Sequence, residues 1–330
     1  MSNKVLRMTH NDLDGVSPVI LDKLHNTPFD DILMVNYEWQ VDQVTMDYVK
    51  TFGKVIFTDM SPLEAYFHEL IDLGIYVIIY DHHESSSWCA ALPKSDKYEI
   101  YHDQKRSGTK IYFEEFILKH FPRVKKSERY YVSLVDTYDL WKKETPLWEE
   151  ANNATRVLYK MVDWNADGYA AYEKFIDQQV RKIRRLPEWR WLDGEKKYIE
   201  QAIERERIAL EESEARLVRR VDSKGNTFGT FHLGGKISLS ATKILENHPD
   251  IKYLAIQNSF RGLNSSLSFR SRDEKEFNCL DIHIANGHKE AAGSEFKNVT
   301  EAASFLEGDI YCFTYEDEFE ETGELYHYLD

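Results

Sequence analysis

Short apolar runs and segments of helical period alternate along the first 80 residues. The runs are Val5-Leu6-Arg7-Met8, Ile32-Leu33-Met34-Val35, residues 54–58 and residues 75–80. Between them 16–24, 42–51 and 62–73 read as helices, the last with Pro62 in its first turn, a favoured place for proline. Continuous Val, Ile, Leu and Tyr runs separated by helices predict a parallel sheet covered on both faces. Ligands of such sheets bind beyond the carboxyl ends of the strands. Three of the runs lead there into Asp or His: His10 after the first, Asp59 after the third, Asp81-His82-His83 after the fourth.

From Ser107 the pattern turns helical. Ser107-Gly108-Thr109 reads as a cap for 110–120, and 127–138 reads as a further helix carrying Asp136, with Asp139 just beyond. Trp141, Trp148, Trp164, Trp189 and Trp191 punctuate the next fifty residues; large aromatics at such spacings fill cores and inter-helix gaps, with base stacking as the lesser alternative. Residues 195–220 form the longest helical stretch, with Ile199, Ile203, Leu210 and Leu217 on one face and charge elsewhere. It reads as a connector, self-association into a homodimer being the lesser option. Strand-like 227–233, 251–257 and 266–270 then alternate with helical 239–246 and 280–285. The expected organisation is an α/β catalytic domain over 1–190, a helical linker over 191–221, a smaller α/β domain over 222–315 and an acidic tail over 316–330. That tail holds seven acidic residues and no Lys or Arg, which reads as a solvated segment.

Composition narrows the partners. With 330 residues, 42% hydrophobic, the chain is long enough for two cores. Its 57 acidic residues against 42 basic ones give a net charge of −15, which opposes tracking along long nucleic acid and favours short or small anionic substrates. Cys89, Cys279 and Cys312 are scattered, without a disulfide ladder or a zinc pair, so a reducing, cytoplasmic setting is expected. No long apolar run suggests a leader or a membrane span.

The chemistry concentrates in Thr9-His10-Asn11-Asp12-Leu13-Asp14-Gly15, at a strand-to-helix junction. In extended chain the alternate side chains of His10, Asp12 and Asp14 share one face and can converge. Gly15 is expected to let the backbone turn sharply. Crowded carboxylates repel unless a positive charge sits between them. The same phrase also fits an Asx-rich turn that caps a helix, and His82-His83 a satisfied buried pair. Taken with Asp59, His82, His83 and Asp136, the set offers carboxylate and imidazole ligands without thiolate, which suits Mn²⁺, Mg²⁺ or Fe²⁺. The ligands exceed the needs of one ion. Two ions about 4 Å apart are a recurrent device for phosphoryl hydrolysis.

His10-x-Asp12-x-Asp14, the strand-end Asp59, Asp81-His82-His83 and the later Asp136 resemble the motifs of the DHH phosphoesterases. Gly287-His288-x-x-Ala291-Ala292-Gly293 and Ser268-Phe269-Arg270-Ser271 resemble the associated DHHA1 domain, with Asn286 where many relatives carry a second glycine. The phrase from His10 to Val16 looks most like the B-type nanoRNases. The resemblance implies two divalent cations, Mn²⁺ preferred and Mg²⁺ possible. One is implied at His10, Asp12 and Asp59; the other at Asp14, Asp59, His82 and Asp136, so that Asp59 bridges. It further implies His83 at the scissile phosphate and Asp81 orienting a histidine. Arg270, Ser268, Gly287 and His288 are implied at a substrate phosphate.

Asp139, three residues on, is a rival to Asp136, which is favoured because it fits the family motif, and an ordinary inter-strand ion pair is the lesser alternative for Arg270. The expected activity is hydrolysis of short RNA or DNA oligonucleotides to 5′-nucleotides. Cyclic-dinucleotide phosphodiesterase, pAp phosphatase, RecJ-like exonuclease and non-catalytic nucleotide sensor are the alternatives.

Overall fold

Leu6, Met8, Val55, Phe57, Val77 and Ile79 are fully buried together, and they come from three neighbouring strands of one sheet. A computed structural model describes residues 2–35, 41, 43–163, 165–232, 237–260, 264–282, 285–296 and 306. The chain divides into two units, Met1–Ile199 and Glu200–Asp330. The expected acidic tail and Trp164 lie outside the described residues.

The first unit is built on β1 (Val5–His10), β2 (Asp31–Val35), β3 (Lys54–Thr58), β4 (Tyr76–Asp81) and β5 (Tyr98–His102). All pair in parallel, in the order β2-β1-β3-β4-β5. Successive side chains alternate between two cores. Val77 and Ile79 pack with Tyr66, Phe67 and Leu70 of the helix Glu64–Asp72. Ile78 and Tyr80 pack with Ile111, Tyr112 and Val132 on the other face. Both faces are therefore covered, as the apolar runs predict. Chain order reverses at β1, which has β2 on one side and β3 on the other, and a doubly wound sheet offers its crevice at such a point.

Several elements differ in detail from expectation. The alternating edge strand β5 has no apolar run to announce it. The helix expected over 42–51 is a single turn, Met46–Val49, with residue 42 outside the described set. Pro62 precedes the helix Glu64–Asp72 instead of sitting in its first turn. Arg7, inside the first apolar run, is buried because Asp22 lies 2.7 Å from its Nε and the Tyr112 ring lies 4.8 Å from its guanidinium carbon.

The second unit holds β6 (Val218–Val221), β7 (Thr227–His232), β8 (Tyr253–Phe260), β9 (Asn264–Ser271), β10 (Asn286–His288) and β11 (Ala291–Phe296), in the order β10-β11-β9-β8-β7-β6. Only β7 and β8 run parallel, and the helix Ile237–Asn247 lies between them in sequence. The long helix Asp193–Ala215 ends before β6, so 218–221 is sheet instead of linker. Of the helix expected over 280–285, the described residues show one 3₁₀ turn, Cys279–Asp281, with 283 and 284 outside the described set. Among the described residues no helix is long and apolar enough to cross a membrane.

Candidate metal centre

The carboxyl ends of β1, β3 and β4 deliver His10, Asp59 and Asp81-His82-His83 to one place. Ligand-capable atoms there form three overlapping groups, each within 4.8 Å: His10–Asp12–Asp59, Asp59–His82–His83 and Asp14–His82–Asp139. His10 Nδ1 lies 3.2 Å from Asp12 and 3.7 Å from Asp59. His82 Nε2 lies 3.2 Å from Asp59, 3.2 Å from Asp139 and 3.9 Å from Asp14.

The local chain makes this convergence possible. Asp12 is the N-cap of the helix Leu13–His25 and accepts a hydrogen bond from Gly15 N at 3.0 Å. Gly15 is not at a turn, contrary to expectation, but inside the helix. A Cβ there would stand 2.0 Å from the His10 carbonyl oxygen, so glycine is required by close approach. Asp14 is fixed from the far side of the site. Gly108 N and Thr109 N donate to its two carboxylate oxygens at 2.6 and 2.9 Å. They open the helix Gly108–Tyr112, capped by Ser107, whose N-terminal dipole favours an anion. Asp59 has φ +58°, left-handed backbone that is uncommon outside glycine. Its Cα crowds Gly108, where a Cβ would come within 2.7 Å.

Asp81 stands one layer back. Its Oδ1 accepts from His82 N at 2.7 Å and lies 2.7 Å from His83 Nδ1, while its Oδ2 accepts from Ser86 Oγ. Burial would raise this carboxyl, but His83 and the Ser86 bond outweigh it and hold it at about 2.

Charge is the dominant feature of the site. Burial, followed by the charges of Asp14, Asp12 and Asp139, pushes Asp59 far above the ordinary carboxylate range. Burial, Asp14 and Asp12 do the same to Asp139. His82 is pushed down by burial and by His83, against the pull of Asp14 and Asp81. Burial would also raise Asp12, but the adjoining His10 reverses the sign and lowers it. Among the described residues Asp59 Oδ2 and Asp139 Oδ2 are buried and accept no hydrogen bond. Oxygens of that kind call for a cation. Four carboxylates and three imidazoles, without thiolate, fit a pair of divalent ions in both charge and ligand type.

Asp136 does not join the cluster. Its carboxylate accepts from Ser107 N at 3.1 Å and pairs with Lys110 at 3.0 Å and Lys142 at 2.6 Å. Asp139, the last residue of the same helix Lys126–Asp139, takes the expected place. Three residues advance a side chain about 4.5 Å along a helix and turn it by about 60°. That step separates a carboxylate already neutralised by two lysines from one aimed at His82. The contacts from Gly108 and Thr109 had no sequence signal beyond the capping pattern at Ser107.

The remaining expected residues lie in the second unit. Register aligns Arg270 with Ala291 and Ala291 with His288, and Ser268 with Gly293 and Gly293 with Asn286. Arg270 and His288 thus occupy one cross-strand row and Gly287 the next. Arg270 makes no inter-strand ion pair among the described residues. Its Nη1 donates to the carbonyls of Phe269 at 2.7 Å and Ala292 at 3.1 Å, its buried Nε has no hydrogen-bond partner among the described residues, and burial lowers its pKa.

No family model and no curated protein matches the chain. Solved structures do. A DHH domain from a protein described as belonging to a family of ribosomal proteins aligns at TM-score 0.57 and 13% identity, over 94% of this chain and 88% of that one. A pGpG-specific phosphodiesterase, PggH from Vibrio cholerae, aligns at TM-score 0.47 and 14% identity over 93% and 97%. An uncharacterized Helicobacter pylori protein aligns at TM-score 0.44 and 17% identity over 93% and 98%. The first of these likenesses defines the fold of this chain as that of a DHH domain protein; at these identities it defines nothing finer.

Proposed function

We propose that the chain is a two-metal phosphodiesterase that hydrolyses short oligonucleotides to 5′-nucleotides. The observation that carries this reading is the interlocking of His10–Asp12–Asp59 with Asp14–His82–Asp139 at the strand ends of a DHH-type sheet. One ion is assigned to His10, Asp12 and Asp59 and the other to Asp14, Asp59, His82 and Asp139, with Asp59 serving both and Mn²⁺ preferred over Mg²⁺. When bound, such ions lower the pKa of a water and offset the charge of the transition state. The protein's own part is to hold the ligands and place the substrate. Asp81 fixes His83 through Nδ1, which assigns the other ring nitrogen, Nε2, to the scissile phosphate or the leaving oxygen. Arg270, with Ser268, Gly287 and His288, is assigned to a substrate phosphate, supported by the unpartnered Nε of Arg270. The net charge of −15 favours short substrates over long strands.

The test is a substrate panel with Mn²⁺: labelled RNA and DNA dimers, trimers and longer single strands, beside cyclic dinucleotides and pAp. Preferential turnover of dimers and trimers is expected. Preference for long single-stranded DNA would replace this reading with a RecJ-like one. Metal binding without turnover of any phosphodiester would make the chain a nucleotide sensor.

A further inference from the structure

Most of the chain's described tryptophans are absorbed into cores. Trp88 packs against one buried cluster and Trp189 and Trp191 against another. Trp141 and Trp148 are different. They belong to none of the buried clusters among the described residues, and both are half-exposed. Of the two, Trp141 follows Asp139 of the metal centre by only two residues, so their Cα atoms lie within about 7 Å.

The backbone at Trp141 is also costly. The helix Lys126–Asp139 ends in a Schellman motif, with Lys142 N donating to Thr137 O at 3.0 Å and Trp141 N to Tyr138 O at 3.1 Å. Trp141 occupies the left-handed position of that motif, at φ +51°. Glycine is the usual residue there, and a bulky aromatic is an outlier of the kind that concentrates at functional sites.

Trp148 packs across the ring at 4.8 Å and an interplanar angle of 77°, Tyr138 at 5.9 Å and 67°, and Lys143 Nζ lies over the ring, 5.2 Å from its centroid. A half-exposed indole with a cation over one side of it, two residues from the proposed metal centre, matches a nucleobase and its phosphate.

We propose that Trp141, braced by Tyr138 and Trp148 and accompanied by Lys143, is the platform on which a substrate nucleobase stacks beside the Asp139 edge of the metal centre. The proposal rests on the phosphodiesterase reading above and adds to it a base-binding residue in the first unit.

The experiment compares kcat/KM for a dinucleotide with kcat/KM for the two analogues that lack one or the other base, with Mn²⁺, in wild type, Trp141→Gly and Trp141→Phe. Glycine suits the left-handed position, so Trp141→Gly is expected to melt at or above the wild-type temperature. Wild type is expected to favour the intact dinucleotide over one of the abasic analogues by roughly tenfold. Trp141→Gly is expected to bring that ratio close to one, and Trp141→Phe to keep most of it. An unchanged ratio in Trp141→Gly, a parallel fall for all three substrates, or a wild-type ratio near one would overturn the platform. A wild type that cleaves none of the three would instead overturn the phosphodiesterase reading, and the platform with it.

Discussion

Thr109 holds Asp14 by two separate bonds: its N–H donates to Oδ1 at 2.9 Å and its hydroxyl to the Asp14 carbonyl at 2.6 Å. That carbonyl is available because Pro18, four residues on in the same helix, has no N–H to offer it. A proline inside a helix leaves an acceptor open, and a residue 95 positions away fills it. Thr109→Val removes the hydroxyl, keeps the shape and strands a buried carbonyl. The expected loss is about 1–3 kcal/mol, read as a lower melting temperature, with Thr109→Ser restoring most of it. An unchanged melt for Thr109→Val would show that water satisfies the carbonyl equally well.

Gly108 tests how tightly Asp59 is fixed. A Cβ there would lie 2.7 Å from Asp59 Cα and 2.9 Å from its Cβ. Neither atom belongs to a flexible side-chain end, so Gly108→Ala must displace Asp59. The stabilisation that saturating Mn²⁺ confers, about 2.7 kcal/mol at a hundredfold excess over Kd, is expected to fall by more than half in this variant. A full Mn²⁺-dependent rise in melting temperature would mean that Asp59 is not at the centre of the ligand set.

Asp139 and Asp136 test which of the two carboxylates is a ligand. Asp139→Asn is expected to weaken Mn²⁺ binding, read calorimetrically, by more than about 100-fold. Asp136→Asn breaks contacts to Lys110 and Lys142. It is expected to lower the melting temperature while changing Mn²⁺ affinity less than Asp139→Asn does. The reverse order of effects would restore Asp136 to the ligand set.

Lys182 gives a pH dependence remote from the metal centre. It is fully buried, 2.9 Å from Glu195, with its Nζ 3.6 Å from the Trp189 ring centroid and 4.3 Å from that of Trp191. Burial outweighs Glu195 and lowers its pKa from 10.5 to about 8. A lysine that holds its proton less well folded than unfolded makes stability rise with pH between those two values. Wild type is therefore expected to gain up to about 3 kcal/mol relative to Lys182→Met between pH 8 and pH 10.5. Urea denaturation of both proteins at the two pH values checks the sign; a gap that moves the other way would show that the two indole rings hold the ammonium charged.

Much of the first unit was legible because its strands are buried on both faces. Such strands must be written as unbroken apolar runs, and their ends as polar punctuation, so His10, Asp59 and Asp81-His82-His83 stand out along the chain. The strand β5 was not legible: at a sheet edge Glu99 can alternate with Tyr98 and Ile100, and the run disappears.

Composition and spacing alone determined the parallel sheet covered on both faces and the carboxylate and imidazole side chains at its strand ends, since periodicity and burial are properties of the linear pattern. Only the tertiary structure separated Asp139, beside His82, from Asp136, paired with Lys110 and Lys142, because the two differ by less than one helical turn and their surroundings depend on where those partners stand in space. It alone revealed that Gly108 is required by the approach of Asp59, 49 residues back in the chain, and that Asp14 is held by a helix start 94 residues away. Contacts of that range are set by packing, and the order of residues along the chain carries no local trace of them.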